Sequence, residues 1–265
     1  MNRGVKLLRN RQVNALPNPL VLDPFGQPTL TLRANPSLLV DYSIETAGNS
    51  IYHGMAVSVN RRFGNHYQII SSYTFGKAID DTTDISQNLG PQDPTNTRLE
   101  RSLSPFDVRQ RFALAAVLES PFKAGALADF DVSPILTAHT GSPFNITSGV
   151  DSNGDTNDTD RPFLVGRNTG RGPGYFTTDL RISRRFRFSP DGSRSVQLTF
   201  DAFNLFNRVN FKDVNSNTNG ILRLSDLGIS DDRVKGRKDL PASSFGAFTS
   251  AFDARNIQFG IKMLF

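Results

Sequence analysis

Residues 256–265 read NIQFGIKMLF. Ile257, Phe259, Ile261, Met263 and Phe265 fall on one side of an extended chain, with Leu264 the one exception on the other. Asn256, Gln258, Gly260 and Lys262 take that second side. This period of two predicts a β-strand with one apolar and one polar face. Working upstream, the period recurs. Gln197, Thr199 and Asp201 alternate with Val196, Leu198, Phe200 and Ala202. Asp179, Arg181, Ser183, Arg185 and Arg187 alternate with Leu180, Ile182 and Phe186, and Arg184 interrupts the apolar side. The same pattern covers Asp129–Leu136, Arg111–Leu118, Tyr67–Phe75 and Met55–Asn60, and more weakly Val40–Glu45. Seven clear strands and one weaker one are therefore predicted, in an all-β, antiparallel chain. Helical periodicity is not found.

Composition agrees with a patterned membrane face. The chain has 265 residues, 37% hydrophobic, with 21 Phe against 5 Tyr, no Trp and no Cys. Mean hydropathy is −0.34. A chain this polar and this rich in Phe must segregate its apolar residues. No apolar run reaches the roughly 18 residues of a spanning helix. The absence of Cys excludes disulfides and thiolate metal sites. The formal charge of +5 implies an anionic neighbour without choosing among nucleic acid, lipid and substrate.

Alternation alone fits a soluble sandwich as well as a lipid-facing barrel. Strand length favours the barrel, because spanning strands need about 9–11 residues. The connections also separate the two. Those around Gly64-Asn65, Ser120–Ala126 and Ser189–Ser193 are short, whereas Ile79–Phe106, Thr140–Gly174 and Arg208–Arg255 are long. Short periplasmic turns alternating with long extracellular loops are the habit of transmembrane barrels, and a compact soluble domain rarely holds several such loops. Phe63, Tyr67, Phe122, Phe186 and Phe188 lie near the short turns, and Tyr73, Phe75 and Phe176 near the other end, where two interfacial belts would use them; simple strand packing accounts for them nearly as well.

Several stretches resemble one family. They are NSIYHGMAVSVNRRFG (49–64), HYQIISSYTFGKAIDD (66–81), SPFDVRQRFALAAVLESPF (104–122), TGSPFNITSGVDSNGDTNDTDRPFLVGRNTGRGPGYFTTDLRISRRFRF (140–188), LTFDAFNLFNRVNF (198–211) and ARNIQFGIKMLF (254–265). Together, from about Asn35 to Phe265, they resemble the C-terminal barrel of Oar-like TonB-dependent receptors. The resemblance implies an outer-membrane location and a substrate-uptake or surface-binding role. It also implies, as partners, outer-membrane lipid, the barrel-assembly machinery, a plug and upstream strands, and TonB through them. The terminal Phe259, Ile261, Met263 and Phe265 match the family's assembly signal. A complete receptor has a signal peptide, a TonB box, a plug and about 22 strands. This chain matches none of the first three, so residues 35–265 are expected to be the last third of a barrel, unable to transport alone. Residues 1–34 are expected to be an irregular segment. Met1–Asn14 is basic, but Pro17 and Pro19 interrupt any apolar core of an export signal. Two rivals remain: a self-contained eight-stranded barrel with a structural or adhesive role, and a soluble β-sandwich binding module.

Few residues carry candidate chemistry. Asp179, Arg181, Arg185, Arg187 and Asp201 form the most polar strand face. Either it lines a lumen and attracts anionic substrates or the plug, or it is an ion-paired wall. Asp151, Asn153, Asp155, Asp158 and Asp160 in DSNGDTNDTD offer alternating oxygen ligands, a partial Ca²⁺ pattern. Gly154 precedes Asp155 rather than following it, and Pro162 stands where a bidentate Glu belongs, so an acidic, turn-rich loop is the competing reading. No other cofactor is expected. His53, His66 and His139 are scattered, no catalytic set appears, and the chain is read as no enzyme. The pairs Arg61-Arg62 and Arg184-Arg185 sit beside short turns, which fits periplasmic rims better than nucleic-acid binding.

Overall fold

A computed structural model describes residues 1–14, 35, 37–38, 41–64, 66–82, 90–122, 124–125, 127–149, 157–162, 165–189, 194–218 and 244–265. Its strands in chain order are β1 (Asn2–Gln12), β2 (Tyr42–Gly64), β3 (Tyr67–Asp80), β4 (Ser102–Leu103), β5 (Gln110–Glu119), β6 (Phe130–His139), β7 (Pro143–Phe144), β8 (Gly170–Arg171), β9 (Tyr175–Arg187), β10 (Ser195–Phe203), β11 (Phe211–Val214), β12 (Phe248–Ala251) and β13 (Asn256–Leu264). One antiparallel meander runs β1-β2-β3-β5-β6-β9-β10-β13, and β4 adds to β3. The small ribbons β7–β8 and β11–β12 decorate the long connections.

The register turns the sequence period into two continuous faces. On one face Phe259 lies opposite Phe200, Phe200 opposite Ile182, Ile182 opposite Val132, Val132 opposite Leu118 and Leu118 opposite Tyr67. One residue along, Gly260, Thr199, Ser183, Asp131 and Glu119 make a row on the other face. The burial pattern is the reverse of a soluble protein's. Among the described residues Ala202 alone is a buried hydrophobic, while Phe259 is 81% exposed and Phe265 95%. Buried positions are instead polar, including Asp80, Glu100, Asp107, Arg161 and Arg167. A soluble sandwich must bury its apolar faces to fold. This sheet presents them outward, as a wall in lipid does. The fold is that of an antiparallel transmembrane barrel.

Arg184, the interruption in that apolar face, is accommodated at its edge. The guanidinium stacks 4.7 Å from the Phe186 ring centre and donates to the Gly125 carbonyl at 3.1 Å. Arg61 stacks likewise on Tyr67, at 4.5 Å. Both charges thereby sit near the short-turn end, where a headgroup layer receives them.

Two sequence expectations need correction. Residues 1–34 are not irregular throughout, because Asn2–Gln12 pair with β2. The strand escaped detection because its register shifts between Gly4, Leu7 and Leu8, and Lys6 adopts a left-handed φ of 56°. Bulges of this kind erase a clean period of two. The weak segment Val40–Glu45 is not a separate strand. Tyr42–Glu45 run without a turn into Met55–Gly64 as one strand of 23 residues. β1 thus supplies the eighth strand of the meander.

The sheet is open. Among the described residues β1 pairs with β2 alone and β13 with β10 alone. The closure of 37–46 onto 256–265 that an eight-stranded barrel requires is absent among the described residues, since Tyr42–Thr46 pair with Leu8–Gln12. The wall is an incomplete barrel.

β2 is 23 residues long, about twice what a spanning strand needs, so its first part projects beyond the outer rim. There Glu45 receives Arg9 at 2.6 Å and Arg11 at 3.2 Å. Burial pushes the Glu45 carboxyl up. The Arg9 hydrogen bond, with the charges of Arg11 and Arg9, outweighs it and holds the pKa below the ordinary carboxylate value. A depressed folded pKa contributes stability above the unfolded value and loses it as pH falls through the folded one. Amide protection of β1, corrected for intrinsic exchange, should therefore hold above the ordinary Glu pKa and fall below it. In Glu45→Gln that dependence should vanish.

Candidate functional site

The polar face of β9 and β10 brings most of the expected residues together. Arg181 and Asp201 stand directly opposite in register. Arg181 donates through Nε at 2.6 Å and Nη2 at 3.0 Å to the two carboxylate oxygens. Arg187 pairs with Asp129 at 2.7 Å. Arg185 lies on the same face opposite Gln197, whose amide donates to Ser183, which in turn donates to Asp131. Asp179 shares the face but makes no ion pair with these arginines. Its Oδ1 accepts the Asn204 backbone N–H at 2.9 Å and the Thr177 hydroxyl at 3.3 Å. The face is thus largely an ion-paired wall, and Asp179 holds the turn after β10.

That turn explains the AFNLFN run and the residues after it. Asn204 and Asn207 both adopt φ of 51°, a conformation Asn tolerates better than other non-Gly residues. Asn204 accepts from the Arg208 N–H at 3.0 Å and donates to its carbonyl at 2.9 Å. Asn207 accepts from the Arg255 N–H at 3.1 Å. Asn210 accepts from the Phe176 N–H at 2.9 Å and donates to the Phe176 carbonyl at 2.8 Å, as a neighbouring strand would. Each amide substitutes for a backbone partner. Asn210→Ala, leaving both Phe176 groups unmet, should cost about 1–3 kcal/mol, read as a lower denaturation midpoint with unchanged slope. Asn210→Asp, which retains only an acceptor, should fall between.

Sequence inspection missed a second cluster, where the two long connections after β3 and β6 meet. Arg161 donates to both Glu100 oxygens at 2.7 Å each, and both side chains are buried. Glu100 also accepts from the Gln92 N–H, and the Gln92 side chain closes on the Arg161 backbone. Arg167 donates to Asp80 Oδ1 at 2.6 Å and to the carbonyls of Asp80 and Glu100. Asp107 accepts from the Ala78 N–H at 2.8 Å and from Arg109 at 3.0 Å, with Arg171 at 3.7 Å. Arg171 reaches on to the Gly141 carbonyl at 2.7 Å. Glu100 belongs to a short 3-10 turn, Thr97–Glu100, that points its carboxylate inward. The only sequence signal was three arginines in RPFLVGRNTGR (161–171), and nothing local to them names their carboxylates.

The calcium pattern gains no support. Asp151, Asn153 and Asp155 lie outside the described residues. Asp158 is exposed and Asp160 buried, the Asp160 carbonyl accepting from the Ser148 N–H at 2.6 Å. No group of three or more His, Asp or Glu that could hold a metal occurs among the described residues. His66 occupies the β2–β3 turn with φ of 67°. His139 stacks on Tyr175 at 5.2 Å.

Comparison with protein families finds a model described as an outer membrane beta barrel domain, matching residues 2–167 and 164–258. A search of curated proteins finds no match.

Proposed function

This chain belongs to the outer membrane β-barrel domain family, and we propose that it walls the channel of a TonB-dependent receptor of the Oar-like kind. In this reading the polar face carrying Asp179, Arg181, Arg185, Arg187 and Asp201 looks into the lumen. The long connections form the extracellular mouth, and Phe259, Ile261, Met263 and Phe265 present the strand that the assembly machinery recognises. The plug and the coupling to TonB belong to other parts of the receptor, so the chain does not transport by itself.

The observation that carries this reading is that, among the described residues, the outer edges of β1 and β13 have no partner strand. An open sheet leaves rows of backbone N–H and C=O groups without partners, which lipid cannot satisfy. Further strands must complete it, and the resemblance of segments 49–64, 140–188 and 198–211 supports a receptor barrel as the source. Production behind an export leader, together with the receptor's upstream strands and plug, tests it. The chain should fractionate with the outer membrane, and ligand uptake by the assembled receptor should require TonB. Recovery as a soluble periplasmic protein overturns the membrane reading. Uptake indifferent to TonB overturns the receptor reading alone.

A further inference from the structure

A pocket of about 250 Å³ opens on the polar face, lined by Tyr52, Thr74, Phe106, Asp107, Val108 and Arg111. Thr74 and Arg111 face each other across β3 and β5. Arg111 is the second residue of β5, so the pocket lies at the end where the long connections gather. The Tyr52 hydroxyl lies where a Cβ on Gly54 or Gly76 would meet it at 2.4 Å, so the ring lies across those glycines as a flat floor. Phe106 descends from the connection before β5 and stays 74% exposed. Its position is set by Asp107, which is anchored to the Ala78 N–H.

The charges here are unequally satisfied. Asp107 is buried, and Arg109 and Arg171 neutralise it. Arg111 is exposed and its guanidinium makes no ion pair or hydrogen bond among the described residues. Its cross-strand neighbours are Thr74 and His139. Among the described residues the pocket therefore offers one uncompensated guanidinium, two aromatic rings and the hydroxyls of Tyr52 and Thr74 in its lining. Its volume is below the roughly 300–1,000 Å³ of drug-sized sites, which admits a single ring and little more. The geometry points to a binding site for a small planar monocarboxylate, its carboxylate on the Arg111 fork and its ring against Phe106 and Tyr52. A phosphate monoester carries a second charge for which the pocket holds no free cation among the described residues. This inference deepens the proposed receptor role by naming a ligand class at its mouth, and it rests on that mouth being open to the outside.

The test uses the chain assembled with the receptor's upstream strands and plug and extracted into neutral detergent, with 4-fluorobenzoate followed by fluorine NMR. Saturable binding is expected, weakened about tenfold or more by Arg111→Gln and similarly by Phe106→Ala, and unchanged by Arg62→Gln at the opposite end. The uncharged 4-fluorobenzamide should bind much more weakly. Equal binding of the amide, insensitivity to both pocket variants, or mere partitioning into micelles overturns the site. Tighter binding of 4-fluorophenyl phosphate overturns the monocarboxylate class. Because no transport is measured, failure here leaves the receptor reading standing, and soluble fractionation would sink that reading without this titration.

Discussion

Removing one half of the Glu100–Arg161 pair should open the outer end of the wall. Both side chains are buried and joined by two hydrogen bonds, so Arg161→Ala strands a carboxylate away from water. Breaking a buried pair from one side costs about 3–5 kcal/mol, a fall in local amide protection of about a hundredfold or more. The loss should be confined to segments 90–103 and 157–171. The ladders of β3, β5 and β9 hold themselves through backbone bonds. Glu100→Ala should match it. The double variant should cost less than the sum, because neither charge is then left alone. Unchanged exchange in both single variants would refute the clamp.

The second large effect concerns the apolar face. Ile182 sits mid-strand in β9 between Phe200 and Val132. Ile182→Arg places a guanidinium at the depth where lipid is driest, an expected loss of about 2–4 kcal/mol in denaturant titrations in bilayers. Thr199→Arg, on the opposite face beside Ser183, should change stability by less than about 0.5 kcal/mol. Native Arg184 shows what is tolerated on the same face, because its head reaches the short turn at Gly125. Equal costs for the two substitutions would mean that the faces have been assigned the wrong way round.

Both predictions turn on how much a linear pattern says. Ile257, Phe259, Ile261 and Met263 announce their face unaided, because side-chain direction alternates within one strand whatever its neighbours do. The same local rule placed Arg181 and Asp201 on one face, but only the register of β9 against β10 set them opposite each other. It could not show that Asp179, two residues away from Arg181, serves Asn204 instead. Nor could it find β1, whose bulge near Leu7 breaks the period it relies on.

By itself the sequence determined the all-β class, the lipid-facing and polar faces, and which end carries the long connections, because each follows from residue order within a strand or a turn. The tertiary structure alone decided the open edges, the partners of Glu100, Asp80 and Asp107, and the pocket around Arg111. The edges depend on which strands pair, and the rest on connections far apart in the chain meeting at one end of the sheet. An ion pair between residues 100 and 161 leaves no period in either segment, since its stability comes from shared burial rather than from spacing.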